Sequence, residues 1–195
     1  LFLRSLDREV RLVLLDGDAF EAHNAARMAW LVPGNKACVV AEELQLLLDE
    51  SRVALSAVPE YLGPDNLARL LRPGDVILLA VDNHATRKLV SDHVATLDDA
   101  VLLSGGNDGV GEDSHGRNRR GTFGNVQVFV RSGGEDVTPP LDAFHPEIES
   151  PADQRPDEED CITAALSTPQ LLFANLQTAT ALLGPWWLGS DKGGP

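Results

Sequence analysis

Two apolar runs in this chain close on an aspartate, "VRLVLLD" at 10–16 and "DVILLAVD" at 75–82. Runs dominated by Val, Leu and Ile fit strands buried on both faces of a parallel sheet. What lies between and after them alternates in the same sense. "NKACVVAEELQLLLDE" (35–50) repeats apolar residues at helical spacing behind Pro33 and Gly34, and "RVALSAV" (52–58) reads as the next strand. "GPDNLARLL" (63–71) is a short helix with Pro64 in its first turn, "NHATRKLVSDHVATL" (83–97) a longer one, and "AVLLSGG" (100–106) another strand. This βαβαβ order predicts an α/β fold, a doubly wound, mainly parallel sheet with helices on both faces. Ligands of such sheets gather at the carboxyl ends of the strands, which is where Asp16 and Asp82 fall.

The second half reads differently. "NDGVGEDSHGRNRRGTFG" (107–124) is rich in glycine and charge and is expected to be a mobile loop before an alternating strand, "NVQVFVR" (125–131). Pro and acidic residues dominate 132–160, an extended connection along the surface. "CITAALSTPQLLFANLQTATALLG" (161–184) returns to helical spacing with a break at Pro169, and the Gly- and Pro-rich end is expected to fray. The organisation expected is a core over 1–131, a connection over 132–160, a helical segment over 161–188 packing on the core, and a tail over 189–195.

Charge narrows the partners. With a formal net charge of −14 over 195 residues, the chain would repel a phosphate backbone, so nucleic acid is excluded as a partner. An anionic ligand must meet local cations. No apolar run is long enough to cross a bilayer and the N-terminus lacks the regions of a signal peptide, so no membrane is expected. Two cysteines, Cys38 and Cys161, without a CxxC pair, suit a reducing compartment, the cytoplasm, and offer no frame for structural zinc.

Residue chemistry then picks out candidates. A strand-end carboxylate such as Asp16 matches the vicinal hydroxyls of a ribose; Asp18 is an equal contender, and a helix cap or turn is the alternative for either. Asn24 and Arg27, three apart, share a face if 23–30 is helical, and with Lys36 supply an amide and two cations for phosphates; a solvated helix face is the alternative. Asp82 suits Mg²⁺ shared with phosphate oxygens, or the N-cap of the next helix, or both. Asn83 and Arg87 complete this second cluster. The five histidines lack metal-site spacing, and "RNRR" (117–120) is the one basic cluster.

"LVLLDGDAFEAHNAAR", a following Gly-Asn-Lys, "LLAVDNHATRKLVSDH" and "SGGNDG" together resemble the ThiF-type adenylyltransferases, relatives of the ubiquitin-activating enzymes. Asp16, Asp18, Asn24, Arg27, Lys36, Asp82, Asn83 and Arg87 match that pattern in order, over roughly residues 10–130, more weakly at 161–183. The resemblance implies a Rossmann-like ATP site that activates a carboxylate, usually the C-terminus of a ubiquitin-like or sulfur-carrier protein, with ATP and Mg²⁺ as cofactors and a homodimer or heterodimer as the assembly. It implies catalytic roles for Arg27, Lys36 and Asp82, nucleotide contacts from Asp16, Asp18, Asn24, Arg27, Lys36, Asn83 and Arg87, and Mg²⁺ on Asp82; Arg87 has the alternative of pairing with a carboxylate to set its helix.

The chain departs from the family pattern in three places. "LFLRSLDREV" carries no glycine where the family places a first strand and a Gly-rich turn, so a fragment lacking that segment is expected, with a natural variant as the alternative. The paired CxxC motifs of zinc-bearing relatives are missing. Cys161 is the only candidate for thioester chemistry, and the acidic run before it disfavours a thiolate. Two other functions remain open: a noncatalytic partner or scaffold subunit with the same fold, and an NAD-dependent oxidoreductase using Asp16 on a ribose, which has no need of Arg27, Lys36 or a metal at Asp82.

Overall fold

The first strand runs where the Val and Leu run begins and stops one residue short of its aspartate. The computed structural model describes residues 3, 8–20, 32–48, 52–107, 109–112, 116–158 and 172–190, and the chain divides into two compact units, residues 1–62 and 63–195.

In the first unit, β1 (Val10–Leu15) pairs in parallel with β4 (Val53–Val58), from Val10 opposite Val53 to Leu15 opposite Val58. Parallel strands need a crossover, and α1 (Lys36–Leu48) supplies it, burying Ala37, Val39 and Leu48. Ahead of α1, β2 (Ala19–Phe20) pairs antiparallel with β3 (Gly34–Asn35), with Phe20 buried. This short ribbon brings the chain just past β1 against the start of α1.

The second unit contains α2 (Pro64–Leu70), β5 (Val76–Leu79), α3 (His84–Val94) and β6 (Ala100–Asn107). After them come the ribbon β7 (Val110–Glu112) and β8 (Asn118–Arg120), then β9 (Gly124–Ser132) and β10 (Glu135–Asp136). A 3-10 turn (Leu141–Phe144), α4 (Pro146–Glu149) and α5 (Leu172–Ser190) follow. Its main sheet has the order β10-β9-β6-β5. β5 and β6 are parallel, with α3 as the crossover, while β9 returns antiparallel to β6.

Successive residues of a strand face opposite sides, and two glycines of β6 show what lies on each. A Cβ on Gly105 would meet Leu182 and Thr178 of α5, and one on Gly106 would meet the Arg87 guanidinium of α3. The two helices therefore flank β6 on opposite faces. On the α3 face, the register aligns Ile77, Leu102 and Phe129 across three strands. Leu102, Phe129, Val90 and Val94 are all fully buried there.

Several sequence expectations change at this point. The four-stranded sheet is mixed, with one parallel and two antiparallel pairings, where a mainly parallel sheet was expected. The reason is local for β10: Gly133 and Gly134 take φ of +58° and +81° and close a two-residue hairpin, a conformation that other residues resist. The glycine-rich loop holds the antiparallel ribbon β7–β8, Val110 opposite Arg120. The acidic, Pro-rich connection is anchored by Leu141 and Ile148, each only 1% exposed. Helix α5 continues through Pro185 to Ser190, past where fraying was expected to begin. Pro169, Cys161 and the 23–30 segment lie outside the described residues. Among the described residues no helix is long and apolar enough to cross a membrane.

Candidate functional site

The turn after β1 carries two carboxylates that bond its own backbone. The Asp16 Oδ1 atom accepts the Asp18 N–H at 2.9 Å, and Asp18 Oδ1 accepts the Ala19 N–H at 2.8 Å. Between them, Gly17 lies under the Tyr61 ring, so close that a Cβ would sit 2.5 Å from the ring's Cγ. A side chain at 17 would displace either the ring or the turn. Asp16 N–H donates to the Val58 carbonyl at 3.3 Å, carrying the β1–β4 pairing one residue beyond the strands.

Lys36 opens α1 and returns to this turn. Its N–H donates to the Asp18 carbonyl at 2.9 Å, and its ammonium ion-pairs with Asp18 Oδ2. Asn35, which the sequence reading left without a role of its own, joins the two segments. Its Nδ2 donates to the carbonyls of Asp16 at 2.7 Å and Asp18 at 3.0 Å, while its Oδ1 accepts the Cys38 N–H at 3.1 Å as the cap of α1. Of the phosphate-binding set expected in this unit, Lys36 lies against Asp18, with Asn35 linking both to the Asp16 carbonyl. Asn24 and Arg27 lie outside the described residues.

The second cluster lies in the other unit. Asp82 is exposed, in the link between β5 and α3. The N-cap of α3 is its neighbour Asn83, whose side chain accepts the Thr86 N–H at 2.7 Å. Asp153 adds a second cap: its two carboxylate oxygens take the N–H groups of His84 and Ala85, each at 2.8 Å. A carboxylate on two orphan donors at a helix N-terminus also meets the positive end of the helix dipole. Sequence gives no hint of this pairing, since 69 residues separate the partners of the longer contact.

Arg87 is 7% exposed, far more buried than a helix-surface arginine should be. Its Nη2 donates to the Val81 carbonyl at 2.8 Å and more loosely to Gly105 at 3.4 Å. The room for it comes from Gly106, where a Cβ would lie 2.2 Å from Nη2. Burial draws its pKa below the ordinary arginine value, against the opposing fields of Asp82, Asp153 and Glu147. Among the described residues the Arg87 Nε and the His84 Nδ1 are buried without hydrogen-bond partners. Of the remaining histidines, His93 shares a hydrogen bond with the Leu71 carbonyl at 3.0 Å and His145 pairs with Glu147 at 2.8 Å, structural contacts in both cases. That pair holds the Glu147 carboxyl below its usual range. No group of three or more His, Cys, Asp or Glu side chains suited to a metal occurs among the described residues.

Two parallel βαβ units, each with a carboxylate just past its first strand, define an α/β protein, a class whose ligands gather at the strand ends. The chain belongs to the ThiF family, whose family model matches residues 10–184. No curated protein and no solved structure matches it. Membership indicates a Rossmann-like α/β fold and adenylyltransferase-type activity in general. Family members use ATP and generally act with ubiquitin-like or sulfur-carrier proteins.

Proposed function

We propose that this protein is an ATP- and Mg²⁺-dependent adenylyltransferase that activates the C-terminal carboxylate of a ubiquitin-like or sulfur-carrier protein. The observation that carries the reading is the Asp16–Gly17–Asp18 turn held against Lys36 at the end of a parallel strand pair. The donor set suits the nucleotide: carboxylates accept from ribose hydroxyls, an ammonium answers phosphate charge, and the exposed Asp82 carboxylate suits a hard divalent cation. When bound, Mg·ATP would supply an electrophilic α-phosphorus for a carboxylate, with pyrophosphate as the leaving group.

Asp16 holds the ribose in this reading. Lys36, paired with Asp18, and Arg27 would offset the charge of the phosphates, and Asn24 would donate a hydrogen bond to them. Asp82 holds the metal ion. The attacking carboxylate is already ionised, so no general base is needed, and positioning and electrostatics carry the rate. Asn83 and Arg87 serve the site by fixing the link that bears Asp82, Asn83 through the α3 cap and Arg87 through the Val81 carbonyl. The working assembly in this reading is a cytoplasmic dimer.

The test is Asp82→Ala in an ATP–pyrophosphate exchange assay with a glycine-ended carrier protein. Mg²⁺-dependent exchange should fall to background, while the thermal midpoint stays within about 2 °C, because Asp82 is exposed and α3 is capped by Asn83. Unchanged exchange removes Asp82 from the metal role.

A further inference from the structure

We propose that Asn35 is a positioning residue for nucleotide binding, setting the distance between the Asp16 and Asp18 carboxylates and the Lys36 ammonium. This rests on the adenylyltransferase reading.

Both N–H donors of the Asn35 amide and one lone pair of its oxygen are committed. The oxygen accepts from Cys38 N–H at 3.1 Å, and the NH₂ group reaches two carbonyls, Asp16 at 2.7 Å and Asp18 at 3.0 Å. The orientation of the amide is fixed by these partners, since a backbone N–H can only donate and a carbonyl can only accept. Capping α1 requires nothing more than an acceptor, a need that Ser, Thr or Asp meets about as well. Holding two carbonyls on either side of Gly17 requires two donors on the same side chain. A carboxylate at 35 has neither and would set negative oxygen against both carbonyls; a serine hydroxyl has one proton and a shorter reach.

The covalent arrangement gives the amide its leverage. Asn35 directly precedes Lys36, and the carbonyl of Asp18 that takes the Asn35 amide also takes the Lys36 N–H at 2.9 Å. The residue that bonds the turn is thus chained to the residue whose ammonium pairs with Asp18 Oδ2. Without Nδ2, the Asp16 carbonyl loses its bond to residue 35, and the turn stays tied to the start of α1 through Asp18 alone, so the Asp16 carboxylate and the Lys36 ammonium are less firmly spaced. Misplacement of about 1 Å is enough to cost on the order of a hundredfold in rate.

The experiment compares Asn35→Asp and Asn35→Ser with the wild-type protein in calorimetric titrations with Mg·ATP, thermal melts, and amide hydrogen exchange at Asp18 and Lys36. Both variants keep the cap, so their melts should stay close to wild type. Mg·ATP affinity is expected to fall by about 10- to 100-fold, as for lost supporting contacts around bound groups, and protection at Asp18 and Lys36 should drop. A merely structural Asn35 would shift the melt and leave the affinity of the folded fraction alone. Wild-type affinity in both variants overturns the role and leaves the nucleotide reading standing. Failure of both to fold makes Asn35 structural and likewise overturns it. If the wild-type protein binds no Mg·ATP, the nucleotide reading fails and takes this role with it.

Discussion

Lys36→Ala should lower ATP–pyrophosphate exchange by roughly 10²–10³-fold, the loss seen when one preorganised donor to developing charge is removed, about 2.7–4 kcal/mol. The expectation follows from geometry: the ammonium is held at the strand-end turn by Asp18, and its backbone is tied to the same residue. The same substitution should scarcely change stability. The Asp18 side chain is 52% exposed, and pairs this open to water contribute about 0–1 kcal/mol. A large kinetic effect with a shift of the thermal midpoint under about 4 °C separates catalysis from folding. Exchange rates and melts on the same preparation check both halves, and a loss of exchange matched by unfolding would remove Lys36 from catalysis.

Phe129→Ala is expected to carry the largest stability loss, about 3–5 kcal/mol. Phe129 has no exposed surface and lies opposite Leu102, itself fully buried, on the face of the sheet that α3 covers. Close-packed surroundings leave the new cavity only partly filled, so the contacts of the ring are lost along with its burial. Denaturant unfolding should show a lower midpoint at an unchanged slope. Phe129→Leu, which keeps most of the volume, should lose less than half as much. Equal losses for the two substitutions would mean that ring shape, not volume, sets the packing there.

The elements that could be read from sequence are those with local signals. The apolar runs at 10–16 and 75–82 and the helical spacing at 35–50 and 83–97 specify β1, β5, α1 and α3 to within a few residues. Periodicity does not determine what a strand pairs with, and so the antiparallel return of β9 onto β6 was missed. Choosing between Asp82 and Asn83 as the cap turns on a shift of one residue, which propensity cannot settle because both are good caps. Arg87 reads as a nucleotide contact or the partner of a neighbouring carboxylate, whereas its guanidinium fills the space left by Gly106, 19 positions later, and donates to the Val81 carbonyl. Asn35 and Asp153 went unread for the same reason: their partners are distant in sequence, and only the folded chain brings them together. Of the residues read as nucleotide contacts in the first unit, Lys36 pairs with Asp18, and Asp16 bonds the Asp18 N–H, whereas Asn24 and Arg27 lie outside the described residues.

The most direct measurement of the central claim is a calorimetric titration of the full-length protein with ATP in the presence and absence of Mg²⁺, and with NAD⁺ alongside. The account predicts saturable ATP binding that weakens sharply without Mg²⁺ and no binding of NAD⁺. Binding of NAD⁺ in preference to ATP, or of neither nucleotide, would contradict it, the first pointing to an oxidoreductase and the second to a noncatalytic partner subunit.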